Sequence, residues 1–217
     1  MVENELLERS LVPKTATKSV KWEPPDGDMA KINFAASVQQ DHNTSKAGII
    51  ARNKDGLIMV ACIYPSTNIS TPEMAEAWAC LHVVTFGEEL GFREICVEGD
   101  TLMVDKGVTT TGEDRSCISN VIKAVKCKCA NFTKIKFRFV PCSANTTAHA
   151  LAKEGRSHER LEYWMEEAPA SVEDINSVLS RGLGYSDGYF PVKGEKHLPL
   201  LLMRKWRLNG LRETNRG

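Results

Sequence analysis

Part-way along this chain the apolar residues change period, and that change limits the folds open to it. From Lys31 to Val38 they alternate, with Ile32, Phe34 and Ala36 on one face and Asn33, Ala35 and Ser37 on the other. Ala47 to Arg52 and Leu57 to Tyr64 are two further strand-like runs, joined through the tight-turn signal Asn53-Lys54-Asp55-Gly56. Links this short favour an antiparallel meander, because a parallel return needs a crossover of roughly a dozen residues or more. After Thr71-Pro72 the spacing becomes helical, with Pro at the first helical position and Glu73 and Glu76 near the start. Met74, Trp78, Leu81 and Thr85 trace one face, Ala77 and Val84 lie beside it, and Gly91 supplies a left-handed stop.

The second half alternates strands and helices. Arg93 to Val97 reads as a fourth strand, and Ser116 to Cys129 as a helix with Ile118, Ile122, Val125 and Cys129 on one side. Lys134 to Val140 is a fifth strand, setting Ile135, Phe137 and Phe139 against Lys134, Lys136 and Arg138. Ala144 to about His158 is a further helix. Asp100 is placed to cap a short helix over Thr101 to Asp105, ahead of a Thr- and Gly-rich loop to about Asp114. This order predicts an α/β fold: a five-stranded mixed sheet, three antiparallel strands and then two right-handed parallel crossovers, with flanking helices.

The organisation expected is a flexible arm over 1–21, one domain over 22–160, and a partly disordered extension over 161–217. Within the extension, Glu162 to Pro169 is read as an aromatic edge packed back on the domain, and Val172 to Leu179 as a short helix. Arg204-Lys205-Trp206-Arg207 is a basic piece near the end.

Net charge is zero, so only its distribution is informative. Glu73 to Asp114 holds ten acids against Arg93 and Lys106, whereas Arg115 to Lys153 holds eight Lys or Arg and no acid. One stretch is suited to cations and the next to phosphates, although a solvated face explains either run alone. Lys123, Lys126, Lys128, Lys134, Lys136 and Arg138 are the candidate phosphate contacts, and such contacts weaken steeply with salt. The seven cysteines are odd in number and irregularly spaced, which argues against a disulfide framework. Cys127-Lys128-Cys129 lacks the second ligand pair of a zinc site. With no apolar leader and no membrane-length run, the expectation is an intracellular chain, nuclear or cytoplasmic, with no membrane association. It is read as a monomer with no stable protein partner inferable.

Several segments in order resemble the ribonuclease H type 1 fold, and more closely its plant, retroelement-derived branch of reverse-transcriptase-like domains. They are Trp22-Glu23-Pro24-Pro25, Lys31-Ile32-Asn33-Phe34, Ala47-Gly48 with Arg52-Asn53-Lys54-Asp55-Gly56, Ala75-Glu76-Ala77, Val97-Glu98-Gly99-Asp100, and Asn145-Thr146-Thr147-Ala148-His149-Ala150-Leu151-Ala152. Met165-Glu166-Glu167-Ala168-Pro169 resembles the run after the domain, so the resemblance spans about Trp22 to Pro169.

The resemblance implies cleavage of the RNA strand of an RNA/DNA hybrid by two Mg²⁺ ions about 4 Å apart, held by four carboxylates. Glu76 and Asp100 fall on two of those positions, as catalytic and metal residues. Ala35 stands at the first-strand position, where the resemblance implies an Asp bridging both ions. Asn33 shares its strand face two residues away, and Asp28 precedes the strand. His149 stands at the last-helix position and is the third catalytic candidate; imidazole suits Mn²⁺ or Zn²⁺ and is a poor Mg²⁺ ligand. The expected partner is nucleic acid, an RNA/DNA hybrid or another duplex, with Mg²⁺ or Mn²⁺ as cofactor. Because Ala35 removes a ligand, cleavage is expected to be weak or lost. The alternatives are a catalytically inactive nucleic-acid-binding module or a retroelement-derived remnant.

Overall fold

The computed structural model describes Glu23, Pro25, Gly27, residues 29–101 and residues 117–181. The expected arm over 1–21, Asp28, the helix from Thr101 to Asp105 beyond Thr101 itself, the loop to Asp114 and the tail after Arg181 lie outside the described residues. Strands β1 (Ala30–Gln39), β2 (Thr44–Arg52) and β3 (Ile58–Thr67) form the antiparallel meander. Local chemistry sets its turns. Asn43 closes the first in the left-handed region at φ 49°. In the second, the Asn53 side-chain carbonyl accepts from the Asp55 and Leu57 amides at 3.0 and 2.9 Å, and Gly56 takes φ 76°.

Helix α1 (Pro72–Glu89) begins where the Thr71 hydroxyl accepts from the Met74 amide at 3.2 Å, and ends beside Gly91 at φ 74°. Strand β4 (Glu94–Gly99), helix α2 (Ser119–Cys129), strand β5 (Lys134–Phe139) and helix α3 (Thr146–Glu154) follow. Both β4 and β5 add parallel, β4 beside β1 and β5 beside β4. Strand β6 (Glu162–Met165) then pairs antiparallel with β3, and helix α4 (Ala170–Arg181) packs against α3. The sheet order is β5-β4-β1-β2-β3-β6. It therefore has six strands where five were expected. The segment read as an aromatic edge is the sixth: Tyr163 stacks on Phe86 and shares a hydrogen bond with the Tyr64 hydroxyl.

Both faces of the sheet are covered. On one, α1 and α2 bury Ile32, Phe34, Ile49, Cys62, Val83, Phe86, Val97, Ile122 and Val125. On the other, α3 and α4 enclose Ile50, Ala61, Ile63, Leu151 and Val172, while Ala35 meets Ala148 and Ala152. The face expected on α1 is shifted. Its most buried residues are Ala75, Ala77, Ala79, Cys80, Val83, Val84, Phe86 and Gly87, whereas Met74, Trp78, Leu81 and Thr85 are half-buried. Because α1 is flanked by the sheet on one side and α2 on another, small residues are needed around much of its circumference.

The second face of the central strands carries charge. Lys31 and Glu98 pair at 2.8 Å with side-chain exposures of 1% and 4%. Asn33 donates to Glu98 and accepts from Arg52, each at 3.1 Å. Cross-strand register brings these residues together, with Lys31 opposite Arg52 and Asn33 opposite Glu98. All seven cysteines are free. Among the described residues no helix is long and apolar enough to cross a membrane.

Candidate functional site

Strands β4 and β5 leave the sheet side by side, and this positions the first three site residues. Gly99 lies opposite Phe139, and the Val140 amide donates to the Gly99 carbonyl at 2.9 Å, carrying the contact one residue past the strands. Asp100 follows Gly99 directly. Pro141 then leads into a short 3-10 turn, Cys142–Ala144, that sets Cys142 against Asp100. Asn145 comes next, and its amide donates to the Phe34 carbonyl of β1 at 2.7 Å and reaches Asp100 Oδ1 at 3.5 Å. One turn into α3, His149 faces the same carboxylate.

Asp100 Oδ2 is the hub. His149 Nε2 lies 3.0 Å from it, and the Cys142 thiol donates to it at 2.7 Å. Burial by itself would raise the Asp100 pKa, but the hydrogen bonds from His149 and Cys142 outweigh it and hold the carboxyl at about 2. The same bond to Asp100 raises His149 against the opposing effect of burial. Bonding to the carboxylate likewise raises the Cys142 thiol.

Glu76 projects from the start of α1 to the other side of this group. Its Oε1 accepts from the Ala36 amide at 3.0 Å, while Oε2 is sealed from solvent with no hydrogen-bond partner. Burial lifts its pKa to about 7; the Ala36 amide, His149 and the Thr101 side chain pull it back, and Asp100 adds to the rise. One buried carboxyl near neutrality thus stands beside one that is fully ionised.

Glu76, Asp100 and His149, three residues from distant parts of the sequence, therefore converge. Ala35 lies at the same junction with no exposed surface, its methyl group packed on Ala148 and Ala152. Asn33 does not reach the group, being held by Glu98 and Arg52. The six basic residues do not form one row. Ile135 and Phe137 face the core under α1 and α2, so alternation places Lys134, Lys136 and Arg138 on the opposite face of the edge strand β5. Lys123, Lys126 and Lys128 lie on α2, across the sheet. Lys128 pairs with Glu88 at 2.7 Å, and Arg138 lies 3.7 Å from Glu98.

Cys142 and Asn145 were missed as site residues. The usable signal was register: parallel β4 and β5 of equal length bring the residues after both strands together. A Cys at the end of an apolar run reads instead as a small hydrophobe.

The reverse transcriptase-like family matches residues 33–155. The chain belongs to that family. No curated protein matches it significantly. Among solved structures, RNase H1 from the halophilic archaeon Halobacterium salinarum NRC-1 is similar at 20% identity and a TM-score of 0.55, covering 59% of this chain and 97% of that one. An N-terminal RNase H domain from Mycobacterium tuberculosis is similar at 16% identity and a TM-score of 0.53, covering 59% of this chain and 93% of that one. At these identities the likeness establishes an RNase H-like fold.

The donors of this family member do not fit a pair of Mg²⁺ ions. Such ions want several hard oxygen ligands with near-octahedral geometry. Ala35 offers a buried methyl, Asp100 is bonded to a thiol and an imidazole, and Glu76 already gives one oxygen to a backbone amide.

Proposed function

We propose that this chain is an RNase H-like nucleic-acid-binding domain, retroelement-derived, in which hybrid cleavage is weak or lost. The single observation that carries the reading is Ala35. It occupies the position where the resemblance implies a bridging carboxylate, and it is wholly buried against α3. Without that ligand, charge stabilisation worth several kcal/mol is absent from a two-metal reaction, which is orders of magnitude in rate. The nucleic-acid half of the proposal rests on the fold and on the basic residues of β5 and α2.

The test combines binding and cleavage on the full chain. A fluorescently labelled RNA/DNA hybrid is expected to bind with an affinity that falls as salt rises. With Mg²⁺ or Mn²⁺ the same hybrid should remain uncut, and Ala35→Asp should increase cleavage. Robust Mg²⁺-dependent cutting by the unaltered chain, abolished in Asp100→Asn, would overturn the loss of catalysis. Absent or salt-independent binding would overturn the nucleic-acid role.

A further inference from the structure

Asp100, Cys142 and His149 offer a carboxylate oxygen, a thiol sulfur and an imidazole nitrogen that all lie within 4.8 Å of one another. They come from three separate pieces of backbone: the end of β4, the turn after β5, and α3. This donor set differs in kind from a ring of carboxylates. Thiolate and imidazole are the ligands that borderline-soft ions take, and Mg²⁺ takes neither well.

The present distances are those of hydrogen bonds, with sulfur to Oδ2 at 2.7 Å and Nε2 to Oδ2 at 3.0 Å. Tetrahedral zinc, with bonds of about 2.0–2.3 Å, sets its ligands roughly 3.3–3.7 Å apart, so the sulfur and the nitrogen each need to part from Oδ2 by less than about 1 Å, and both already lie within 4.8 Å of each other. Cys142 is exposed on a short turn and the His149 side chain is 37% exposed, so both have room to make that adjustment. A neighbouring acceptor adds to the case: Asn145 Oδ1 is buried without a hydrogen-bond partner. Asn145 is itself 1% exposed and touches Asp100 through its amide nitrogen.

We propose that Asp100, Cys142 and His149 bind a single Zn²⁺-class ion, with the fourth position left to water. Binding converts the Cys142 thiol to a thiolate and releases its proton to solvent; His149 gives up the Nε2 proton, to solvent from the imidazolium or by shifting the neutral ring to its Nδ1–H tautomer, and binds through Nε2 in its neutral form. The hydrogen bonds to Asp100 are exchanged for metal bonds. The site is proposed from its donors alone and stands whether or not the domain binds nucleic acid.

Co²⁺ is the probe, added to the full chain under a non-thiol reductant and without nucleic acid. The expected result is uptake of about one equivalent with a thiolate-to-cobalt charge-transfer band and the intense visible bands of a tetrahedral ion. Zn²⁺ should displace the Co²⁺, and excess Mg²⁺ should not. Cys142→Ser should abolish the charge-transfer band, and His149→Ala should weaken binding by more than about 100-fold, beyond the loss typical of an outer-sphere group. Cys127→Ser, which removes another exposed thiol, should leave the spectrum unchanged. The Cys142→Ser hydroxyl can still donate to Asp100, and circular dichroism melts of each variant confirm the fold. No charge-transfer band in the unaltered chain, a band that survives Cys142→Ser or follows Cys127→Ser, or displacement by Mg²⁺ would each overturn the proposal.

Discussion

Replacing Glu76 by Gln is expected to stabilise the fold in alkaline solution and to do little in acid. The carboxyl is buried, and the Ala36 amide and the Thr101 side chain do not offset the loss of solvent, so burial carries its pKa from 4.5 to about 7. A raised carboxyl binds its proton more tightly in the folded chain than in the unfolded one. Its contribution is therefore most favourable below about pH 4.5, declines as pH rises through about 7, and is flat above that. At about 1.4 kcal/mol per pH unit, the interval sets an upper bound of roughly 3 kcal/mol. Glu76 is not wholly sealed, so solvent reduces this to about 1–2 kcal/mol. Gln keeps the shape and the acceptor for Ala36 while removing the charge. Thermal or urea melts should place the variant above the parent by ~1–2 kcal/mol near pH 8.5, or roughly 2–8 °C for a domain of this size. Near pH 4 the two should coincide. Equal stabilities at both pH values, or a variant weaker near pH 8.5, would refute the reasoning.

Two further substitutions test the packing that holds the site. Glu98→Gln removes the carboxylate that pairs with Lys31 and opposes the burial that pulls the Arg52 guanidinium down to about 10. Urea melts should show a loss of roughly 3–5 kcal/mol, the cost of stranding buried charge, and a change below about 1 kcal/mol would contradict it. Gly48→Ala puts a Cβ 2.4 Å from the Ala152 amide nitrogen and 2.6 Å from the Ala148 carbonyl oxygen, so helix α3 must lift from β2. It should cost about 3 kcal/mol or more and speed amide exchange in α3, because backbone on both sides resists the shift; unaltered exchange would contradict it.

Much of the fold could be read from spacing because the relevant signals are local. Thr71-Pro72 starts α1, Asn53 to Gly56 turns β2 into β3, and Ile135-Lys136-Phe137 alternates as a half-buried edge strand does. Features created by register were harder to read. Glu98, Lys31 and Arg52 look like surface charges one at a time, and only strand pairing buries them together. β6 is four residues long and mostly half-buried, too short for alternation to show. Cys142 becomes a neighbour of Asp100 only because β4 and β5 end level.

The charge at the site is small for a member of this fold. Four carboxylates in one place repel one another, and divalent ions relieve that repulsion. Here position 35 carries no charge, and Asp100 is compensated by donors from His149 and Cys142. Glu76, titrating at about 7, is only part-ionised in neutral solution. The residual charge is small and largely matched within the protein. The space is filled as well. Gly48 has no side chain, Ala35 has only a methyl, and α3 lies directly on both through Ala148 and Ala152. A carboxylate introduced at position 35 would enter that contact as a third acid beside Glu76 and Asp100, raising Glu76 further and straining α3. Ala35→Asp should therefore lower stability in the absence of divalent ions even where it adds a metal ligand, and a gain in cleavage should come with dependence on the ion for folding.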